Sequence, residues 1–74
     1  MPLDDPLTWQ DPEGIGIALY EADSETNPLT LRFTEILDRI LTLPHFQGDR
    51  MECNEARLEA IQMAWLSEWR EDNE

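Results

Sequence analysis

Cys53 is the only cysteine in a chain of 74 residues, which removes the usual staples of a small fold. One thiol cannot close an internal disulfide. One thiol and one imidazole, His45, are too few for a structural zinc site. A core this small supplies only ~3–5 kcal/mol unaided. The chain must therefore stand on compact helix packing, as one domain, with no cavity to spare for a large substrate. Its apolar content just allows this. Leu, Ile and Phe account for 17 of 74 residues and Val is absent. That lies slightly above the ~20% below which a highly charged chain stays unfolded. Three Trp favour the folded state further.

The charge speaks about partners. Seventeen acids face five bases, for a net charge of −12. Phosphates are repelled by such a surface, so nucleic acid and anionic membranes are excluded as partners. No apolar run is long enough for a membrane span, and Met1 to Asp5 lacks the character of a signal peptide. The expectation is a cytoplasmic monomer whose natural partner is a basic protein surface or a hard cation. All five bases are Arg. Without Lys there is no Schiff-base chemistry and no P-loop. No nucleophile–base pair suggests an enzyme.

Along the chain, residues 1–6 read as a flexible lead, residues 7–69 as one helical domain, and residues 70–74 as a frayed acidic tail. Asp11-Pro12 is a helix start, with Asp as cap and Pro in the first turn. Ile15, Ala18, Leu19 and Ala22 then recur with helical period. Gly14 and Gly16 weaken this helix and imply close approach of a neighbouring backbone. Leu29, Leu31 and Phe33 alternate, which predicts a short extended segment. Thr34 is the expected cap of a second helix carrying Ile36, Leu37, Ile40 and Leu41. Asn54 is the expected cap of a third, from Glu55 to about Trp69, with Leu58, Ile61, Trp65 and Leu66 as its core stripe. Trp9 anchors the entry segment. His45 reads as a surface loop residue, and Cys53 as an isolated thiol that cannot hold a cluster.

The acids fall into groups. Asp11, Glu13 and Glu21 lie on or beside the first helix, with Asp23 and Glu25 just beyond. Glu35 and Asp38 lie on the second. Glu52, Glu55 and Glu59 open the third, and the last two repel one another at i, i+4. Hard oxygen donors suit Fe³⁺, Mg²⁺ or Ca²⁺ at low affinity. The bland alternative is a solvated acidic surface.

Several segments, taken in order, resemble one family. They are Leu7-Thr8-Trp9-Gln10-Asp11, Ile15-Gly16 with Ala18-Leu19-Tyr20-Glu21, and Leu31-Arg32-Phe33-Thr34-Glu35. Leu43, Phe46 and Asp49 follow, then Asn54-Glu55 and the run from Leu58 to Glu68 containing Trp65-Leu66. The pattern is similar to the IscX (YfhJ) family, small acidic accessory proteins of iron–sulphur cluster assembly. The resemblance implies a mainly α, three-helix fold of modified winged-helix type with at most a short extended segment. It implies an adaptor that binds the cysteine desulfurase, in possible competition with frataxin, and that tunes the desulfurase without catalysing anything. On this footing Asp11, Glu13, Glu21, Glu35, Glu55 and Glu59 are the expected partner-binding residues. Asp23, Glu25, Asp49 and Glu52 are the candidate ligands for weakly associated iron, with no tightly bound cofactor. The alternative is a weak iron carrier. Phe46-Gln47-Gly48-Asp49-Arg50 stands where the family often has a run of acids.

Overall fold

The computed structural model describes residues 6–72. Residues 1–5 and 73–74, which hold most of the expected lead and part of the expected tail, lie outside the described residues. Three helices form, α1 (Pro12–Ala22), α2 (Phe33–Leu41) and α3 (Glu55–Asp72), with single 3₁₀ turns at Pro28–Thr30 and Arg50–Glu52. Local chemistry explains where two of them start. The Asp11 carboxylate accepts the Gly14 amide at 3.0 Å, and Pro12 occupies the first turn, where its missing N–H costs nothing. The Asn54 side chain accepts the Arg57 amide at 2.8 Å. α3 then continues to Asp72, three residues beyond the end that its apolar stripe suggests.

The segment before α2 differs from the reading of alternation. Asn27 accepts the Leu29 amide at 2.9 Å and Pro28 fixes the next φ, so residues 28–30 coil into a 3₁₀ turn. Leu29 consequently points outward, 52% exposed. Only Leu31 and Arg32 keep extended backbone angles. The cap of α2 is Arg32 and not Thr34, which lies inside the helix. A guanidinium has no acceptor, so the cap works from the other side: the Arg32 amide donates to Glu35 Oε1 at 3.4 Å.

α1 packs mainly on α3, and Gly16 is the reason it can. A Cβ at Gly16 would lie 2.6 Å from the Ala64 Cβ and 2.8 Å from the Trp65 amide nitrogen. Further along, the Tyr20 hydroxyl donates to Asp72. Both contacts advance together along the two helices, so α1 and α3 run in the same direction and α2 with its flanking turns returns the chain. Ile15, Ile36, Ile40, Ile61 and Trp65 are fully buried between the three helices, with Leu19, Leu37, Leu43 and Leu58 around them.

The entry segment closes the other side of the molecule. The Leu7 amide donates to the His45 carbonyl at 2.8 Å and the Gln47 amide to the Leu7 carbonyl at 2.7 Å, a parallel bridge of Leu7 with Phe46. Among the described residues this bridge is all the β pairing, and no wing of paired strands accompanies the helices. Trp9 meets Phe46 edge to face at 4.8 Å, and its indole N–H donates to the Asp49 carbonyl at 2.9 Å. Gly48 passes over this pair so closely that a Cβ there would sit 2.6 Å from the Phe46 ring. The radius of gyration, 11.5 Å, matches the ~11 Å of a fully collapsed chain of this length.

Candidate functional site

Residues four apart on a helix lie in one row along its surface. On α1 the exposed row is Glu13, Ile17, Glu21; on α3 it is Glu55, Glu59, Met63, Ser67. Because the two helices lie side by side in the same direction, the rows flank a groove of about 530 Å³. Glu13 and Ile17 line it from α1, and Ala60, Met63, Ala64 and Glu68 from α3. The small Ala60 and Ala64 are what make it a groove. Glu21 and Glu59 stand one turn along the rows from Ile17 and Met63. Among the described residues, the side chains of Glu13, Glu21, Glu55 and Glu59 make no hydrogen bond or ion pair; Glu13 and Glu55 stand in the first turns of their helices, where a negative charge is favourable.

Four of the six expected partner acids therefore fall on these two rows. Asp11 stands at the head of α1 with one carboxylate oxygen committed to the cap. Glu35 does not join them: it is on α2, turned back to the Arg32 amide.

The four candidate metal ligands are not brought together. Asp23 accepts from Arg39 at 2.6 Å and from the Thr26 hydroxyl. These bonds, first from Thr26 and then from Arg39, hold its carboxyl below the usual carboxylate range. Glu25 is exposed in the following loop. Asp49 and Glu52 form a capping box on the second 3₁₀ turn: Asp49 accepts the Met51 amide at 3.0 Å, and Glu52 accepts the Asp49 amide at 3.2 Å. Among the described residues no three carboxylate, imidazole or thiol groups converge. These residues do not fit a cage that would hold iron.

Other chemistry-bearing groups are dispersed. Burial pushes the Cys53 thiol up, and its Sγ faces the Asn54 carbonyl at 3.8 Å. His45 is exposed, and its carbonyl serves the Leu7 bridge. Arg39, while paired with Asp23, also lies 5.8 Å above the Trp65 ring. The hydrogen bond to Asp72, aided by the negative charges of Asp72 and Glu68, pushes the Tyr20 hydroxyl up to about 12.

Reading the sequence missed Ile17 and Met63. The signal was present in Ile17, which lies off the Ile15, Ala18, Leu19, Ala22 stripe and midway between two acids at i, i+4 spacing.

A profile described as iron-sulphur cluster assembly matches residues 7–70. The chain belongs to the IscX (YfhJ) family. This IscX-family chain is also similar to an uncharacterised protein of Pseudomonas aeruginosa. The two are 37% identical over 62 residues, covering 84% of this chain and 94% of that one. The region matched to the family opens at Leu7, the residue that bridges to Phe46, and contains both acidic rows. The role of IscX-family proteins lies in iron–sulphur cluster assembly. Among the described residues, no helix is long and apolar enough to cross a membrane.

Proposed function

We propose that this protein is a monomeric, non-catalytic adaptor that binds the cysteine desulfurase of the cluster-assembly system in the cytoplasm. The observation that carries this reading is the pair of acidic rows on α1 and α3, whose side chains make no hydrogen bond or ion pair among the described residues. Charged groups that no side chain pairs with remain available to steer a partner. The resemblance supplies the partner's identity and the expectation of competition with frataxin. Burial raises the Cys53 thiol against the opposing charges of Arg57 and Arg50, which supports a protein that does not itself carry sulphur chemistry. Iron association is read as weak and secondary, since the carboxylates nearest to a cluster are already engaged by Arg39 and by backbone amides.

The test is charge reversal on the rows. Glu13, Glu21, Glu55 and Glu59 are changed together to Lys, and association with immobilised desulfurase is followed at low salt. Exposed charges are worth only ~0.2–1 kcal/mol each to stability, so the fold should persist by circular dichroism. The association rate should drop by about 10–1,000-fold, and ~0.5 M salt should imitate the effect on the wild type. A folded quadruple variant that associates at the wild-type rate would show that the desulfurase, if it binds, uses another surface.

A further inference from the structure

The acidic rows do not account for the floor between them. Ile17 is 42% exposed and Met63 51%, facing each other across the groove between α1 and α3. A domain with so few large apolar residues has strong reason to bury them. Two kept at the surface, on neighbouring helices and joined by Ala60 and Ala64, make a continuous apolar trough. Its shape follows from the fold: two helices side by side leave a furrow that accepts a third helix lying along it. No base lines it. Glu13 and Glu68 form its walls, and Glu21 and Glu59 continue them. Arg70 lines an adjoining hollow together with Glu71.

We infer that this groove receives an amphipathic helix of a protein partner, one that carries a short apolar stripe flanked on both sides by Arg or Lys. The inference rests on the reading of α1 and α3 as the docking face and deepens it: the acids steer, and the trough holds. Charge selects this occupant. A second copy of the chain would bring Glu13 and Glu68 against the same acids, and an anionic membrane would meet the same repulsion. A purely basic peptide would satisfy the walls and leave Ile17 and Met63 wet. Two contributions are then separable. The acids govern the association rate and its salt dependence, whereas burial of Ile17 and Met63 governs how long the complex lasts.

The probe is a synthetic amphipathic helix with leucines at i, i+4 spacing between lysines and arginines. Its control has each leucine replaced by serine at unchanged charge. Both are titrated into the full-length, isotope-labelled protein at ~150 mM salt. The leucine peptide should bind about tenfold or more tighter than the serine peptide, with the largest shifts at the Ile17 and Met63 methyl groups. The variant Ile17→Ser with Met63→Ser alters only exposed side chains, so it should fold. It should erase the difference between peptides and leave the salt dependence as it was. Glu13→Gln with Glu68→Gln should weaken both peptides and flatten that dependence. Equal binding of the two peptides, or shifts centred away from the groove, overturns the inference. So does a dimer in sedimentation that the Ile17→Ser, Met63→Ser variant abolishes, since the occupant would then be a second copy.

The desulfurase separates this inference from the function it deepens. With the double serine variant it should associate at the wild-type rate and dissociate about tenfold faster. Dissociation at the wild-type rate overturns the groove while leaving the acidic face intact. If the leucine peptide fills the groove as described and the desulfurase does not bind at all, the inference about the groove holds and the proposed partner falls.

Discussion

The two sides of this molecule use the same residue types for opposite ends. Residues 28–54, which hold α2 and its flanking turns, contain three of the five arginines. Acids on or against that side are engaged. Asp23 pairs with Arg39 at 2.6 Å and Asp38 with Arg50 at 3.8 Å, while Glu35, Asp49 and Glu52 accept backbone amides. Residues 6–27 have five acids and no base. Of these, Glu13 and Glu21 lie with Glu55 and Glu59 on the two rows, where no side chain among the described residues pairs with them. A carboxylate on the α2 side is therefore a structural part, and under the proposed function one on the α1–α3 rows is a charge offered to a partner. Net charge conceals this division, and geometry reveals it.

The largest test of the division is to pull the offered face apart. Gly16→Val should force α1 off Ala64 and Trp65, where there is no room even for a Cβ. Overpacking of this kind costs about 3 kcal/mol, comparable with everything a core of this size supplies. Urea melts should show a mostly unfolded variant, and the ion pairs around α2 should not rescue it.

A smaller effect is expected at Asp11, which belongs to both sides of the comparison. Asp11→Ala removes the cap and should cost about 1 kcal/mol, whereas Asp11→Asn keeps the acceptor and should stay within ~0.5 kcal/mol of wild type. If Asp11 also offers charge, both variants should slow association with the desulfurase equally, despite their different stabilities.

Asp23 tests the engaged side. Its carboxyl titrates below its ordinary value in the fold. Its contribution is therefore complete above the unfolded value near 4 and is lost as pH falls through the lower folded one. Both partners of the Arg39 pair are partly solvated, so Asp23→Asn should cost no more than ~1 kcal/mol at neutral pH. The wild type and this variant should converge in chemical denaturation at acid pH. Association with the desulfurase should not change. A large slowing would blur the distinction between engaged and offered acids.

The smallest effect is spectroscopic. Tyr20 is the single tyrosine, so its phenolate absorbance can be followed directly. It should appear at about 12 instead of near 10. The sign is that of a raised value: the contact with Asp72 contributes fully below pH ~10 and fades as the hydroxyl ionises. Asp72→Asn should return the titration toward 10. An ordinary titration in the wild type would mean that α1 and the end of α3 are not joined there.

Much of this was legible wherever the chemistry is local. Asp11-Pro12 and Asn54 announce their helices because a cap is made by neighbours in sequence. Gly16 announces a close approach because a glycine in a helix has few other uses. Arg32 was illegible as a cap, since its own side chain cannot accept; the acceptor is Glu35, three residues on. Pro28 was decisive for the turn that the alternation of Leu29, Leu31 and Phe33 concealed. For the candidate site, each acid could be named from the sequence, but their division could not. Whether Glu35 stands with Glu13 depends on which helix packs beside α1, and that is settled by contacts across the whole chain. Ile17 and Met63 are 46 positions apart and become one surface only through that packing.

The pairing of α1 with α3 also sets a clock. Helical domains usually fold fast because their contacts are between near neighbours. Here the contacts of α1 reach far along the chain, as with Tyr20 and Asp72, 52 residues apart. At ~5–20 residues per second of synthesis, α1 waits several seconds for its partner to be made. During that interval Ile15 and Leu19 have no α3 to cover them, and the short α1, weakened by two glycines, has little reason to stay helical. The acidic row beside them then has an earlier use, keeping a half-made chain apart from its neighbours until the last helix arrives.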